Sequence, residues 1–354
     1  MLVTPSSVVE SASHWRWGVW LSVTVLCFST LSLSPYFTSS SELVRVRNAL
    51  LVAEGTTAGF EWTPTQWPSD FLLERQSATP VFVAAAQRLG LAEMRTDWER
   101  VTVISRHLLS HPQLVGTPIQ SNLTDTYRQI LENGTGYCGD FTRVFMAFAL
   151  TAGIPVRAWA FTYNGFGGEG HIWPEIWNRQ LNRWQIVDIF NNFYFLDEAN
   201  VAVSALEFRE AMLNAPKSIR PALLHPGARP GYAVEEKMWA WYRKGLPEWH
   251  MLWGNNVFSY DQAVNVHALG RVSHSLEQLE GIYLGVYPKI NLMVNDGNRA
   301  SAASLLRLRL HLEIVSVVIV LAIFSLAFCL IAWLSARSRA RAPSHHQSVV
   351  SNGD

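Results

Sequence analysis

Two long apolar runs bracket the chain. Residues 314–336 carry no charged side chain (IVSVVIVLAIFSLAFCLIAWLSA), and Arg337, Arg339 and Arg341 follow at once. The run is apolar on every side, unlike a core helix with one wet face, and is long enough to cross a bilayer as a helix. Near the other end residues 17–33 are uncharged, with Trp15, Trp17 and Trp20 before them and Pro35-Tyr36-Phe37 after. This stretch is rich in Ser and Thr and has no clear A-x-A site, so it reads as an uncleaved signal anchor rather than a cleaved signal peptide. Two spans put both termini on one side of the membrane. Arg16 opposes Arg45 and Arg47, and Arg337, Arg339 and Arg341 oppose Arg307 and Arg309, so flanking charge gives only a lean. The lean is toward cytoplasmic termini and an extracytoplasmic middle.

Between the runs the pattern changes to short periodic segments. Residues 38–75 read as a mixed, weakly ordered entry with Pro64 and Pro68. Helices are expected over 80–89, with Thr79 as N-cap and Pro80 at the first helical position, and over 97–109, where Trp98, Val101, Ile104 and Leu108 recur at helical spacing. A third short helix is expected over 124–131. A strongly apolar helix (FTRVFMAFALT) spans 141–151 and stops at Gly153-Ile154-Pro155, where Gly suits a left-handed cap and Pro cannot continue. Strands are expected over 156–163, 172–177 and 184–190, with a glycine-rich loop at 164–170 and a turn through Asn178 and Asn182. Helices followed by an antiparallel sheet predict an α+β domain. Past residue 200 about a hundred residues match no motif. A helix over 301–312 is expected to run into the second span, and the tail at 335–354 reads as disordered.

Composition agrees with membrane segments: 49% of residues are hydrophobic and 16% charged. The 28 basic and 28 acidic side chains cancel, so no net field attracts nucleic acid. Of three cysteines, Cys27 and Cys329 lie in the apolar runs, leaving Cys138 alone in the middle. No internal disulfide framework is possible there, and the thiol is either core filler or a reactive group.

Cys138 stands in Gly136-Tyr137-Cys138-Gly139-Asp140, directly before the apolar helix. Unpaired N–H groups and the positive dipole end at such a position favour thiolate over thiol and can hold an oxyanion. The flanking glycines leave room for a substrate. His171 opens the strand after the loop, and Asp188 lies in the next, in Trp184-Gln185-Ile186-Val187-Asp188. A carboxylate in so apolar a strand needs a partner, and an imidazole would satisfy it and be oriented by it. The expected roles are Cys138 as nucleophile, His171 as general base and then acid, and Asp188 as orienting partner. Each residue alone has an ordinary structural reading: core thiol, decorative histidine, turn cap.

Three blocks, GYCGDFTRVFMAFALTAGIPVRAWAFTY, GHIWPEIW and RWQIVDIF, in this order resemble the transglutaminase-like superfamily. The shared pattern is a cysteine opening a helix, a G-I-P-x-R exit (Gly153 to Arg157), an H-x-W-x-E strand (His171 to Glu175) and a W-x-x-x-D strand (Trp184 to Asp188). The resemblance covers about sixty residues. It implies a papain-like α+β core, a catalytic Cys138, His171 and Asp188, and no cofactor. Pro174 within the histidine strand departs from a regular central strand and points to an edge or bulge; Asp188 is followed by Ile189 and not by proline. Tyr137 and Trp173 are further candidates for substrate contact.

The expected layout is an anchor over 1–37, a catalytic domain over 38–205, an aromatic-rich extension over 206–311, a span over 312–336 and a basic cytoplasmic tail over 337–354. Gly165 to Gly170 matches GxGxxG but leads into a strand, so it lacks the helix N-terminus that holds a pyrophosphate, and reads as a mobile loop near the site. His107 and His111 have helical metal spacing but no third ligand, so no metal is expected. Asn122 and Asn133 begin glycosylation sequons. Trp239 to Tyr242 with Trp249, His250 and Trp253 reads as packing ahead of a sugar- or peptide-binding wall. The leading function is a membrane-anchored thiol enzyme that transfers or hydrolyses acyl groups through a Cys138 thioester. Its expected partners are a peptide, protein or envelope-polymer substrate and the lipid bilayer. The competing function is a catalytically silent scaffold or binding module of an envelope assembly. A transporter is disfavoured because neither span carries a charge that would mark a pathway.

Overall fold

In a computed structural model, residues 5–53, 59–111, 118–119, 121–228, 234–263 and 274–341 are described. The chain forms two compact units, one of Met1–Thr38 with Leu308–Asp354 and one of Ser39–Arg307.

The first unit contains α1 (Pro5–Leu33) and most of the C-terminal helix Arg299–Arg341. Both helices are long and apolar enough to cross a membrane, over His14–Phe37 and Arg299–Ser338. They pack side by side. Ser22 Oγ donates to Ser325 Oγ at 3.0 Å, and the Trp15 and Phe328 rings meet edge to face at 5.5 Å. A Cβ on Gly18 would lie 2.6 Å from the Cys329 sulfur, so the small residue permits the approach. Tyr36 meets His311 as Ser22 meets Ser325, so numbers rise on one helix while they fall on the other, and the pair is antiparallel. The C-terminal helix continues through Arg341; the rest of the tail expected to be disordered, residues 342–354, lies outside the described residues.

In the second unit α2 (Ser40–Leu51) comes first. It occupies part of the stretch expected to be weakly ordered. Its signal is Ser39, whose side chain accepts the N–H of Glu42 at 3.2 Å, ahead of the run Leu43 to Leu51. Four helices follow: α3 (Pro80–Arg88), α4 (Asp97–Leu108), α5 (Leu123–Asn133) and α6 (Cys138–Thr151). Thr96 and Glu99 cap α4 reciprocally, and Gly153, at φ 69°, provides the left-handed residue past α6. Then come β1 (Val156–Thr162), β2 (Gly170–Asn178), β3 (Arg183–Ile186), β4 (Phe193–Leu196), α7 (Ala205–Asn214), β5 (Arg220–Leu223), α8 (Glu235–Gly245), β6 (Glu248–Trp253), α9 (Val257–Ala263), α10 (His274–Tyr283) and β7 (Lys289–Leu292).

The main sheet has the order β3-β2-β1-β6-β7, antiparallel throughout. Side chains alternate between its two faces. Val156, Ala158, Ile176 and Leu252 meet α3 to α6 through Phe82, Ile104, Ile130, Val144 and Phe148. Trp159, Phe161, Trp173, Trp249, Met251 and Trp253 meet α7 and α8 through Phe208, Met212, Met238 and Tyr242. Both faces are covered, giving a mixed helix and antiparallel-sheet core flanked by the two apolar helices.

Two expectations change. The boundary at 205/206 is not a break between compact units: β6 and β7 complete the same sheet, and α7 and α8 cover its second face. The aromatic extension is half of the core. Pro174 is neither on an edge strand nor unpaired, since it stands opposite Ala158 in a strand between β1 and β3. Its carbonyl accepts the N–H of Val187 at 3.0 Å, so its missing N–H falls on the β3 side. The β2–β3 ladder starts only at Glu175, opposite Ile186, and the chain peels away beyond it, so nothing there requires the absent donor.

Candidate active site

The start of α6 is built by Asp140. Its Oδ2 accepts the backbone N–H of Tyr137 at 2.8 Å and of Ile119 at 3.1 Å, folding the preceding segment onto the first turn. Cys138 is the first helical residue and is half-buried. The N–H groups of Cys138, Gly139 and Asp140 have no acceptor within the helix, as at any helix start.

His171 stands one residue into β2, opposite Phe161 of β1. Gly170 before it admits only glycine, because a Cβ there would come 2.0 Å from the Phe161 carbonyl oxygen. The expected strand over 184–190 ends at Ile186. The chain then turns back, and Asp188 pairs with Phe193: its N–H donates to the Phe193 carbonyl at 2.8 Å and its carbonyl accepts from Phe193 at 3.0 Å. Asn192, at φ 62°, makes the turn. Asp188 is thereby fixed by its own backbone, fully buried, with His171 Nε2 at 2.7 Å from Oδ2.

Two more residues complete this carboxylate. Asn191 donates its N–H to Oδ1 at 3.2 Å and its Nδ2 to Oδ2 at 2.9 Å, and that Nδ2 is 3.1 Å from His171 Nε2. The Tyr242 hydroxyl, from α8, donates to Oδ2. Neither residue was marked by the sequence pattern as part of the site. Asn191 follows an apolar strand in a position that resembles any turn residue, and Tyr242 was grouped with aromatic packing.

Burial alone would lower the pKa of His171, but the charge and hydrogen bond of Asp188, with a smaller contribution from a hydrogen bond to Cys138, raise it to about 10. The ring is therefore protonated at neutral pH. With Nε2 directed to Asp188, Nδ1 is left to face the thiol. The structure brings Cys138, His171 and Asp188 together as one hydrogen-bonded array.

The array opens into a cavity of about 420 Å³ lined by Tyr137, Cys138, Gly139, His171, Ile172 and His250, among others. Tyr137 is 44% exposed at its edge. Trp173 is fully buried and does not line the cavity; its ring stacks behind His171 at 5.5 Å. The expectation that Trp173 touches substrate is corrected accordingly: residues i and i+2 share a strand face, so the ring that follows His171 sinks into the sheet's second layer. The glycine-rich loop contributes Gly167 and Gly168 to the cavity but is tied down. Glu248 accepts the N–H groups of Gly165 and Phe166 at 3.0 and 3.1 Å, and Asn48 of α2 donates to the Phe166 carbonyl at 2.8 Å. His107 meets the Tyr127 hydroxyl at 2.8 Å.

Motif residues that carry no chemistry also find a purpose. Arg157 and Glu175 are directly opposed on β1 and β2, both buried, with Nε to Oε2 at 2.5 Å. Glu175 also accepts from Trp159 Nε1 at 2.8 Å and the N–H of Ala205 at 2.7 Å, while the guanidinium lies over the Trp62 and Trp184 rings.

A thiol opening a helix that packs on an antiparallel sheet, with histidine and aspartate on successive sheet segments, defines a thiol-enzyme-like class of fold. Residues 84–189 match the Transglutaminase-like superfamily, and the chain carries a domain of that superfamily there. A relative from Eremothecium gossypii, named peptide-N(4)-(N-acetyl-beta-glucosaminyl)asparagine amidase, is 37% identical over 60 residues, which cover 17% of this chain and 15% of that protein. No solved structure is significantly similar to the chain.

Proposed function

We propose that this chain is a membrane-anchored thiol enzyme that cleaves or transfers acyl groups at amide or ester bonds. The observation that carries the reading is the buried, fourfold-satisfied Asp188 carboxylate 2.7 Å from the His171 ring, whose other nitrogen is turned toward the thiol. A carboxylate so completely enclosed serves to fix the orientation and protonation of one imidazole.

The roles follow. The Cys138 sulfur, as thiolate paired with the His171 imidazolium, attacks the substrate carbonyl carbon. Negative charge passes to the carbonyl oxygen, where the N–H groups at the start of α6 receive it. His171 gives its proton to the leaving nitrogen or oxygen as that bond breaks, leaving a thioester on Cys138. Water or an amine then attacks the thioester, His171 takes the proton, and the thiolate is restored. The printed name of the Eremothecium relative, an amidase, supports a carbon–nitrogen bond as the target.

The two antiparallel apolar helices support two membrane passes, with the unit Ser39–Arg307 outside the cytoplasm and envelope peptides, proteins or polymers as substrates. The roles can be tested with iodoacetamide at neutral pH, by comparing the rate of Cys138 modification in the wild type, His171→Ala and Asp188→Asn. Fast modification that falls at least about tenfold in both variants is expected if each removes a charge-assisted interaction of about 1.5–3 kcal/mol. Equal rates in all three would mean that the array does not activate the thiol.

A further inference from the structure

The cavity does not end at the thiol. It continues along α6 past Thr142, Arg143 and Met146, over a floor formed by one row of the sheet: Ile172, Ala160 and His250, adjacent on β2, β1 and β6. Ala160 is the small member of the row and leaves the space between Ile172 and His250 open. Three buried polar atoms at this inner end have no hydrogen-bond partner: Arg143 Nη2, His250 Nδ1 and Asn256 Oδ1. Unpaired buried polar groups are rare enough that three around one space call for a common explanation.

The charges there have a sign. Arg47 of α2 lines the same end, and its guanidinium bonds only neutral acceptors, Asn48 Oδ1 at 2.9 Å and Gln278 Oε1 at 3.5 Å, with the Tyr287 ring beneath it. The nearest carboxylate to Arg143 is Asp261, at 3.8 Å, and Asp261 accepts the N–H of Leu123 at 2.8 Å as well. Glu277, the acidic side chain in the lining here, receives the Tyr260 hydroxyl at 2.9 Å. Asp140 is engaged by backbone N–H groups at the helix start. His250 is fully enclosed; burial and then the charge of Arg47 lower its pKa to about 4, so it is a neutral hydrogen-bonding ring at physiological pH.

We infer that the inner end of the cavity is a subsite for a carboxylate on a peptide substrate, received by Arg47, Arg143 and His250, with an adjacent amide N–H received by Asn256. This rests on Cys138 being the nucleophile, and it names the substrate class for that site. Arg143 lies five positions beyond Cys138 on α6, about 7.5 Å along the axis at roughly 1.5 Å per residue. An extended peptide advances about 3.3–3.6 Å per residue, so the carboxylate falls about two residues from the bond presented to the thiol. A free C-terminus and an acidic side chain offer the same group at this reach.

The subsite can be tested without thiol chemistry. Full-length Cys138→Ala protein in detergent is titrated calorimetrically with acetyl-Gly-Gly, its C-terminal amide, acetyl-Glu amide and acetyl-Gln amide. A carboxylate peptide is expected to bind at least about tenfold more tightly than its amide counterpart, the effect of a charge-assisted hydrogen bond of about 1.5 kcal/mol or more. Arg143→Gln and Arg47→Gln are each expected to erase the preference, while Arg143→Lys retains part of it. The tighter of acetyl-Gly-Gly and acetyl-Glu amide assigns the carboxylate to a terminus or to a side chain. Equal binding of acids and amides, a preference that survives both arginine replacements, or no binding of any of the four overturns the subsite. Iodoacetamide reactivity of Cys138 in the wild type is unaffected by those outcomes, so failure of the subsite and failure of the thiol enzyme are separate results.

Discussion

The Tyr242 hydroxyl of α8 donates a hydrogen bond to the Asp188 carboxylate, across 54 positions of sequence and between the two halves of the core. Asp188 lies within the superfamily match and Tyr242 beyond it, so the candidate site is completed by the part of the chain outside the matched domain.

Tyr242→Phe tests this dependence. The ring keeps its packing against Phe195 and Phe208, so loss is confined to one hydrogen bond on a buried carboxylate. A loss of about 1.5–3 kcal/mol in unfolding free energy is expected, with slower Cys138 alkylation. Unchanged stability and unchanged alkylation would make the hydroxyl incidental.

His171 gives a pH signature. Its folded pKa is raised to about 10, above the model value of 6.5, so the folded state holds this proton more tightly than the unfolded chain. The stability it contributes is complete below 6.5 and disappears as pH rises toward 10. In Asp188→Asn, burial is no longer opposed by that charge and the pKa moves down. NMR of the ring is expected to show titration near 10 in the wild type and well below that in the variant, and the wild-type unfolding midpoint is expected to drop between pH 7 and 10 more than that of Asp188→Asn.

Arg157→Ala leaves Glu175 buried and without its cation. Breaking such a pair costs about 3–5 kcal/mol, while replacing both partners with apolar residues of similar volume costs less. Chemical denaturation of Arg157→Ala and of Arg157→Met with Glu175→Leu is expected to place the double variant as the more stable of the two.

Much of this was legible in the sequence, for identifiable reasons. Cys138, His171 and Asp188 could be read because local rules position them: a helix start, a strand opening and a costly carboxylate in an apolar strand. Arg157 and Glu175 appeared as motif letters, and the structure gives them a meaning as a cross-strand pair. Tyr242 and Asn191 were not legible as site residues, because their roles arise from contacts that no local pattern encodes. The strands β6 and β7 were missed for a related reason. In β6, Trp249, Met251 and Trp253 face one layer and His250 and Leu252 the other, all largely covered, so the alternation that marks a half-exposed strand is absent. Helix α2 was hidden in a stretch judged by its prolines, although Ser39 and Glu42 carried its starting signal.

Gly170→Ala should be poorly tolerated even though the change is one methyl group. The added carbon meets a main-chain oxygen of β1, which cannot move without parting the β1–β2 ladder that holds His171. A destabilisation of at least about 3 kcal/mol is expected in denaturant titration, at the upper end for overpacking. Gly139→Ala, with open space around the new carbon, is expected to fold normally.

The most direct measurement of the central claim is mass spectrometry of the intact protein after brief exposure to an activated peptide ester. The account predicts an acyl adduct on Cys138, released by hydroxylamine, that is absent in Cys138→Ala and strongly reduced in His171→Ala. Acylation at another residue, or adduct formation on Cys138 at the same rate without the His171 imidazole, would contradict it.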